Sequence, residues 1–203
     1  MPSTSYQTIT SPTTGEYKDR GSKFIGWAIP VATEEEAKQY LEQLWKEHPK
    51  ARHICYAFRI GNNNPLERSN DDGEPSGSAG KPILNQIYSA GVTNVLVAVV
   101  RYFGGTLLGV PGLIQAYKAA AIEALSTAAI VTHEVLAWYH LVCPYPTLHE
   151  VMNLLKKENV TIAEQEMHLD CRFKVAMHQL TAEKLNNELA TITGVSVIFI
   201  AYA

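Results

Sequence analysis

The sequence predicts an α+β protein of two domains, residues 1–131 and residues 132–203. Glycine is distributed unevenly: seven of the thirteen glycines fall within residues 69–82 and 101–112, whereas residues 132–203 contain a single glycine. Apolar residues alternate along some segments and recur at helical spacing along others, which indicates strands and helices respectively. A chain of 203 residues has room for one large domain or two small ones, and the change in composition favours two.

The N-terminal domain is predicted to have its core over about residues 16–125. A loosely held lead-in over 1–13 comes first, followed by a hairpin over 16–31 and a helix over 33–47. The remaining elements are, in order, a strand over 51–60, a helix over 82–90, a strand over 95–102 and a helix over 113–129. The first helix has a clear start, because Thr33 and Glu36 have the spacing of a capping box. It also has a clear end, since Pro49 cannot continue a helix. The strand over 95–102 is apolar throughout its first six residues and is therefore predicted to be buried.

The C-terminal domain is predicted to contain a strand over 136–143, a helix over 146–157, strands over 160–168 and 171–177, a helix over 181–191 and a strand over 195–202. This order, βαββαβ, is the ferredoxin-like arrangement of two split βαβ halves. Gly194 lies where it can end the second helix.

Charge and cysteine usage restrict the function classes. The formal net charge is −3, and all of it comes from residues 132–203, so a polyanion is expected to meet the N-terminal domain. No apolar stretch approaches the roughly 20 residues of a membrane span, and the N-terminal residues do not resemble a secretory signal. The three cysteines form no CxxC pair and are predicted to be buried thiols in a reducing cytoplasm.

An acidic loop follows the strand over 51–60. Asp71, Asp72 and Glu74 place three carboxylates within four residues, which suits Mg²⁺ binding or acid–base chemistry but equally suits a solvated acidic turn. The next residues superficially resemble a phosphate-binding P-loop, yet Pro75 and Pro82 occupy two of its required positions. Backbone amides between Gly77 and Gly80 remain candidates for binding an anion.

A second glycine-rich loop follows the buried strand over 95–102. Its glycine spacing differs from the dinucleotide-binding fingerprint. Arg101 is suited to pairing with a phosphate, and Tyr102 to stacking on a base. The alternative is structural: Tyr102 and Phe103 pack in the core, and Arg101 pairs with the acidic loop. Arg52 and His53 are predicted to lie near this loop. His53 is either a structural residue with its hydrogen bonds satisfied or, together with Arg52, part of a basic groove.

These observations define a predicted binding surface with no catalytic residue, no metal ligand and no cofactor. Its residues are Arg52, His53, Asp71, Asp72, Gly73, Glu74, Gly77, Ser78, Gly80, Lys81, Arg101, Tyr102, Gly104 and Gly105.

Three segments taken together resemble the IMPACT/YigZ family. They are Ala-Arg-His over residues 51–53, the run from Ser69 through the acidic and glycine-rich loop to residue 84, and Val-Val-Arg-Tyr-Phe-Gly-Gly-Thr-Leu-Leu-Gly-Val-Pro-Gly-Leu over residues 99–113, followed by Ala116-Tyr117. Asn70 and Ser78 stand where the family usually has Ser and Thr. The resemblance covers nearly the whole chain, because two-domain bacterial members also carry a small C-terminal domain.

The resemblance implies an N-terminal α/β domain like domain two of ribosomal protein S5, with helices on one face of a mixed sheet, and a ferredoxin-like C-terminal domain similar to one of elongation factor G. Both likenesses point towards RNA and the ribosome, although fold alone does not establish function. Eukaryotic relatives act in translational control through an extra domain that this sequence is expected to lack, so their partner is not implied here.

The leading hypothesis is a cytoplasmic, non-enzymatic protein that binds RNA, the ribosome or translation factors, without membrane contact, and that regulates translation. A second is an enzyme acting on a small phosphorylated or acidic substrate through Asp71, Asp72 and Glu74. A third is a protein–protein adaptor in which both loops only shape a rigid surface. The sequence leaves the oligomeric state open.

Overall fold

The computed structural model describes residues 4–202 and confirms the predicted α+β class. Internal contacts divide the chain into two compact units. One runs from Tyr6 to His133, and the other comprises the described residues from Glu134 onward together with Thr4 and Ser5.

The N-terminal unit is built mainly on one five-stranded sheet. Its elements in chain order are β1 (Ser5–Ile9), β2 (Thr13–Asp19), β3 (Ser22–Pro30), α1 (Glu34–Glu47), β4 (His53–Ile60), β5 (Leu66–Asn70), α2 (Gly80–Ala90), β6 (Val95–Tyr102), α3 (Gly109–Ser126) and β7 (Ile130–Glu134). The five strands lie in the order β2-β3-β6-β4-β5, and each neighbouring pair is antiparallel.

Helices cover both faces of this sheet. Apolar residues of α2 and α3 pack on one face, together with alternate residues of β6 such as Val97 and Val99. Ala37 and Leu44 of α1 pack on the other face, against Leu96 and Ala98. The expectation of a mixed sheet with helices on one face was therefore wrong in both details. β6 is buried on both sides, which explains why it is apolar at successive positions.

The first helix begins as its sequence predicts. The hydroxyl of Thr33 accepts a hydrogen bond from the backbone N–H of Glu36, and the Glu36 carboxylate accepts one from the N–H of Ala32. Two backbone donors at the start of α1 are thereby satisfied, which is the stabilising role of a capping box.

Three strands, β1, β5 and β7, are not predicted by the sequence. The predicted lead-in contains β1, which pairs with β7 in a two-stranded sheet; residues 1–3 lie outside the described residues. β5 lies where the sequence predicts a polar loop. Its five residues are all exposed at the edge of the sheet and show no apolar alternation, so they do not indicate a strand. Burial of one face is what produces that alternation, so an exposed strand gives little signal.

The C-terminal unit has the predicted ferredoxin-like fold. Its elements are β8 (Leu136–Pro144), a 3₁₀ turn (Tyr145–Thr147), α4 (Leu148–Lys157), β9 (Thr161–Met167), β10 (Asp170–His178), α5 (Gln179–Ala190) and β11 (Ser196–Tyr202). The strands lie in the antiparallel order β11-β8-β10-β9. Apolar residues of α4 and α5, including Val151, Leu155 and Leu185, pack on one face of the sheet.

The three cysteines are buried, as predicted, and none forms a disulfide. Cys143 of β8 lies directly opposite Cys171 of β10 in the same core. Burial, with the neighbouring Cys171 thiol, raises the pKa of Cys143 to about 11. Burial likewise raises the pKa of Cys55 well above its ordinary value. These two thiols are therefore protonated and behave as small apolar side chains near neutral pH.

Candidate functional site

In the acidic loop between β5 and α2, the Asp71 carboxylate occupies the backbone amides that could bind an external anion. The Asp71 carboxylate accepts hydrogen bonds from the backbone N–H groups of Gly77 (2.8 Å), Ala79 (3.0 Å) and Gly80 (2.8 Å). The remaining amide of this turn, that of Ser78, donates to the Pro75 carbonyl oxygen at 3.0 Å. The amides that were candidates for binding an external phosphate are thus already occupied by the chain itself.

These bonds stabilise the charged form of Asp71. Burial favours the neutral acid, but the hydrogen bonds from Gly77, Gly80 and Ala79 outweigh it and hold the pKa of Asp71 below its ordinary value. A group whose pKa is lowered by folding stabilises the fold above its unfolded pKa, and this contribution is lost as the pH falls through the folded pKa.

We expect Asp71→Asn to lower the free energy of unfolding by about 1–3 kcal/mol near neutral pH, because charge-assisted hydrogen bonds to three amides are weakened. The difference from the wild type should shrink as the pH falls through the lowered pKa of Asp71. Urea unfolding across an acidic pH series measures it. Glu42→Gln, at an exposed position of α1, is the control and should change stability by no more than about 0.5 kcal/mol. A pH-independent loss in Asp71→Asn would contradict the assignment.

Asp72 clamps the loop onto the start of β4. Its carboxylate accepts a hydrogen bond from the N–H of Ile54 at 2.7 Å, and its carbonyl oxygen lies 2.6 Å from Nδ1 of His53. Because a carbonyl oxygen only accepts, Nδ1 of His53 carries the proton in this contact. Asp72 and Gly73 both have positive φ, and Gly73 lies against the His53 ring.

Glu74 and Arg101 form a buried ion pair. The two side chains are 4% and 7% exposed, and the Arg101 guanidinium contacts the Glu74 carboxylate through Nη1. The hydroxyl of Tyr117, on α3, donates to the same carboxylate at 2.7 Å. Burial, with Cys55 and Glu74 adding to it, raises the pKa of Tyr117 far above its ordinary value. Tyr117 is therefore a hydrogen-bond donor, not a base.

Arg101 is not at the surface that the sequence analysis assigned to it. Its guanidinium lies 5.5 Å from the centre of the Phe24 ring and 5.6 Å from that of the Phe103 ring. This geometry and the pair with Glu74 correspond to the structural alternative, in which Arg101 holds the acidic loop. Arg101 cannot reach a phosphate in solution without leaving its partners, so we do not place it in the binding surface.

The other predicted residues do not form one surface either. Tyr102 packs on the opposite face of the sheet, where its hydroxyl lies 2.8 Å from Nδ1 of His48. Gly104 lies against the β2–β3 turn and donates its N–H to the Ser22 hydroxyl at 3.1 Å. Gly105 is exposed, and a Cβ added there would meet no other atom within 4 Å. Arg52 is exposed at the start of β4.

An open groove of about 510 Å³ lies between α2 and α3. It is lined by Gly77, Lys81, Pro82, Asn85, Gln86, Ser89, Ile114, Gln115 and Lys118. Lys81 and Lys118 are exposed, and no acidic side chain among the described residues pairs with either. Of these lining residues, only Gly77 and Lys81 belong to the binding surface predicted from the sequence.

The sequence analysis missed most of this groove, including Lys118. A usable signal was present: Lys81, Asn85 and Ser89 are spaced by four and form a polar stripe along α2. Gln115 and Lys118, three apart on α3, form the facing stripe. Apart from Lys81, the residues of both stripes lie outside the glycine-rich segments, so the search for loop shapes passed over them.

The C-terminal unit has a second groove, of about 430 Å³, on the open face of its sheet. Its lining includes Lys174, which pairs with Glu164 at 2.8 Å. Within residues 4–202, no cluster of three or more His, Cys, Asp or Glu side chains is arranged to hold a metal ion. No helix in this range is both long enough and apolar enough to cross a bilayer.

The fold and the site together define a two-domain α+β protein whose glycine-rich loops lock the N-terminal sheet and whose α2–α3 groove presents unpaired basic charge. The model of the Impact N-terminal domain matches residues 20–125. The IMPACT family member YvyE of Bacillus subtilis is 30% identical over 190 residues, which cover 94% of this chain and 88% of YvyE. The chain belongs to the IMPACT family, which confirms the resemblance seen in its sequence.

A solved structure agrees with this placement. The crystal structure of a hypothetical protein is 31% identical and covers 99% of this chain and 98% of that protein, with a TM-score of 0.76. The structure of the two-domain translational regulator Yih1 is 31% identical over the matched part, which covers 60% of this chain and 47% of Yih1, with a TM-score of 0.38. At that score the role of Yih1 is not transferred to this chain.

Proposed function

We propose that this chain regulates translation by binding RNA of the translation machinery at the α2–α3 groove. The observation that carries the proposal is the pair of exposed lysines, Lys81 and Lys118, lining one groove without acidic partners among the described residues. Lysine is a common partner of phosphate, and phosphate contacts supply most of the sequence-independent affinity for nucleic acids.

The rest of the groove suits a sugar–phosphate backbone. Asn85, Ser89 and Gln115 offer hydrogen-bond donors and acceptors of the kind that contact sugars and phosphates. No carboxylate of the described residues lines the groove. Pro82 and Ile114 are the apolar members of the lining, and the stripes on the two helices are polar and basic.

The carboxylates of the neighbouring acidic loop are held by groups of the chain itself and do not line the groove. Three backbone amides surround the Asp71 carboxylate, and Arg101 neutralises that of Glu74. The same engagement bears on the enzymatic alternative. All three carboxylates, including that of Asp72, serve in internal hydrogen bonds, so no observation favours their use as acids, bases or ligands.

RNA binding by the full chain tests the proposal. We expect wild-type affinity for ribosomal and unstructured RNA to fall with salt, and Lys81→Ala combined with Lys118→Ala to weaken binding to both. The slope of log K against log salt concentration should become shallower by about 1.4, or about 0.7 for each phosphate of single-stranded RNA that the variant no longer neutralises. Fluorescence anisotropy at several salt concentrations measures both effects.

The matched control replaces Lys46 and Lys50 by alanine. Both are exposed, and they lie at the end of α1 and just after it, on the opposite side of the sheet. This control changes the net charge equally but leaves the groove intact, so it should retain the wild-type slope. The proposal fails if the wild type does not bind RNA, or if both pairs of substitutions weaken binding equally.

A further inference from the structure

The last strand of the C-terminal unit is an unprotected sheet edge. β11 pairs with β8 on one side, and no strand of the described chain pairs with its other side. Edge strands present unpaired N–H and C=O groups, and proteins usually block these with charges, proline or covering elements. β11 has the sequence Ser-Val-Ile-Phe-Ile-Ala-Tyr, with neither charge nor proline.

The other edge strands of the two larger sheets are protected. β2 carries Glu16, Lys18 and Asp19, and β5 carries Glu67 and Arg68. β9, at the far edge of the same sheet as β11, carries two glutamates. β11 alone among these four strands lacks a charged residue, so the absence is particular to it and not a general property of the chain.

Both faces of β11 also expose apolar side chains. Ile198, on the open face opposite His140, is 60% exposed. Phe199 and Tyr202 are each nearly half exposed and form an aromatic cluster with Tyr139. Exposed apolar surface that is continuous with an unpaired backbone edge marks an interaction site for another strand.

The absence of charge on β11 favours a second copy of the same strand as its partner. Symmetric antiparallel pairing of a strand with its own copy places like residues near one another, so any charge on the strand would meet a like charge. β11 carries none. Glu164 and Glu166 lie on β9, three strand positions away or about 14 Å, so pairing through β11 puts them at the outermost edges of the joined sheet.

We propose that β11 pairs antiparallel with β11 of a second copy of this chain, joining the two four-stranded sheets into one of eight strands. Two-fold pairing of this kind places α4 and α5 of both copies on the same face of the joined sheet. The proposal goes beyond RNA binding and uses a different unit of the chain, so either can fail alone.

Sedimentation equilibrium of the full chain tests this pairing. We expect a wild-type dimer and, for Ile198→Lys, a dissociation constant raised about a hundredfold, because symmetry applies the lost burial and the added charge twice. Ile198 is largely exposed, so lysine should leave the monomer folded, which circular dichroism verifies. The matched control is Leu169→Lys, at the turn between β9 and β10, where the side chain is 95% exposed; it should remain dimeric.

A wild-type chain that stays monomeric, or an Ile198→Lys variant that dimerises like the control, overturns the proposal. Loss of the dimer in both variants also overturns it, because the contact would then not be specific to β11. If Ile198→Lys does not fold, amide hydrogen exchange of the wild type decides the matter: β11 amides should be protected in concentrated solution and exchange faster on dilution. Residues 132–203 carry a net negative charge, so added salt should strengthen the dimer, opposite to its effect on RNA binding.

Discussion

Replacing Glu74 by glutamine is expected to lower the free energy of unfolding by about 3–5 kcal/mol, the cost of leaving a buried charge without its partner. Glutamine keeps the size of the side chain, so the measurement isolates the charge. Arg101 would remain enclosed between Phe24 and Phe103 with no carboxylate to neutralise it. Its Nε already lacks a hydrogen-bond partner among the described residues, so no second contact is available to compensate. Equilibrium unfolding in urea measures the change.

Glu67→Gln is the matched control, because Glu67 pairs with Arg59 at 3.2 Å, and both side chains are at least a quarter exposed. Partly exposed pairs contribute about 0–1 kcal/mol, since water already screens the charges. A loss in Glu74→Gln no larger than that of the control would show that the Glu74–Arg101 pair does not hold the acidic loop on the sheet.

Gly104→Ala is expected to cost more than about 3 kcal/mol, near or beyond the usual range for overpacking. A Cβ at this position would collide with the backbone of Gly21 and Ser22, where the second glycine-rich loop meets the β2–β3 turn. Backbone atoms cannot move aside as a flexible side chain can, so the loop or the hairpin must shift. Thermal and urea unfolding measure the loss, and poor expression of folded protein would be its extreme form.

Gly105→Ala separates this collision from backbone strain. Gly105 has a φ of +86°, but a Cβ there would meet nothing within 4 Å. Only the left-handed backbone conformation is penalised, at about 1–2 kcal/mol. Equal losses in the two alanine variants would show that the loop tolerates the extra carbon and that the close approach of Gly104 is not what fixes it.

The sequence predicted the elements that bury one face or carry a cap. The capping box of α1, the buried β6 and the βαββαβ order of the C-terminal unit all leave periodic or positional marks on the chain. β5 leaves none, because no core selects apolar residues along an exposed edge. The placement of α1 on the opposite face of the sheet from α2 and α3 depends on long-range packing, which local patterns do not record.

The candidate site was harder to predict for a different reason. The sequence shows that Asp71, Glu74 and Arg101 are near functional-looking loops, but not that each finds its partner inside the molecule. The identity of an ionisable residue in a loop does not reveal whether its side chain binds a ligand or a backbone amide of the same chain. The α2–α3 groove, by contrast, depends on two helices that are brought together only by tertiary packing, so Lys118 drew no notice.

The central position of β6 determines when the N-terminal unit can fold during synthesis. β3 is made early, yet its inner edge pairs with β6, whose last residue is Tyr102. The β2–β3 hairpin therefore emerges from the ribosome long before its sheet partner, and pairings so distant along the chain close slowly. The C-terminal sheet has the same property, because β8, the first of its strands to be made, pairs with β11, the last. Each sheet can therefore begin from a local hairpin but is completed only after a strand encoded much later in its unit has been synthesised.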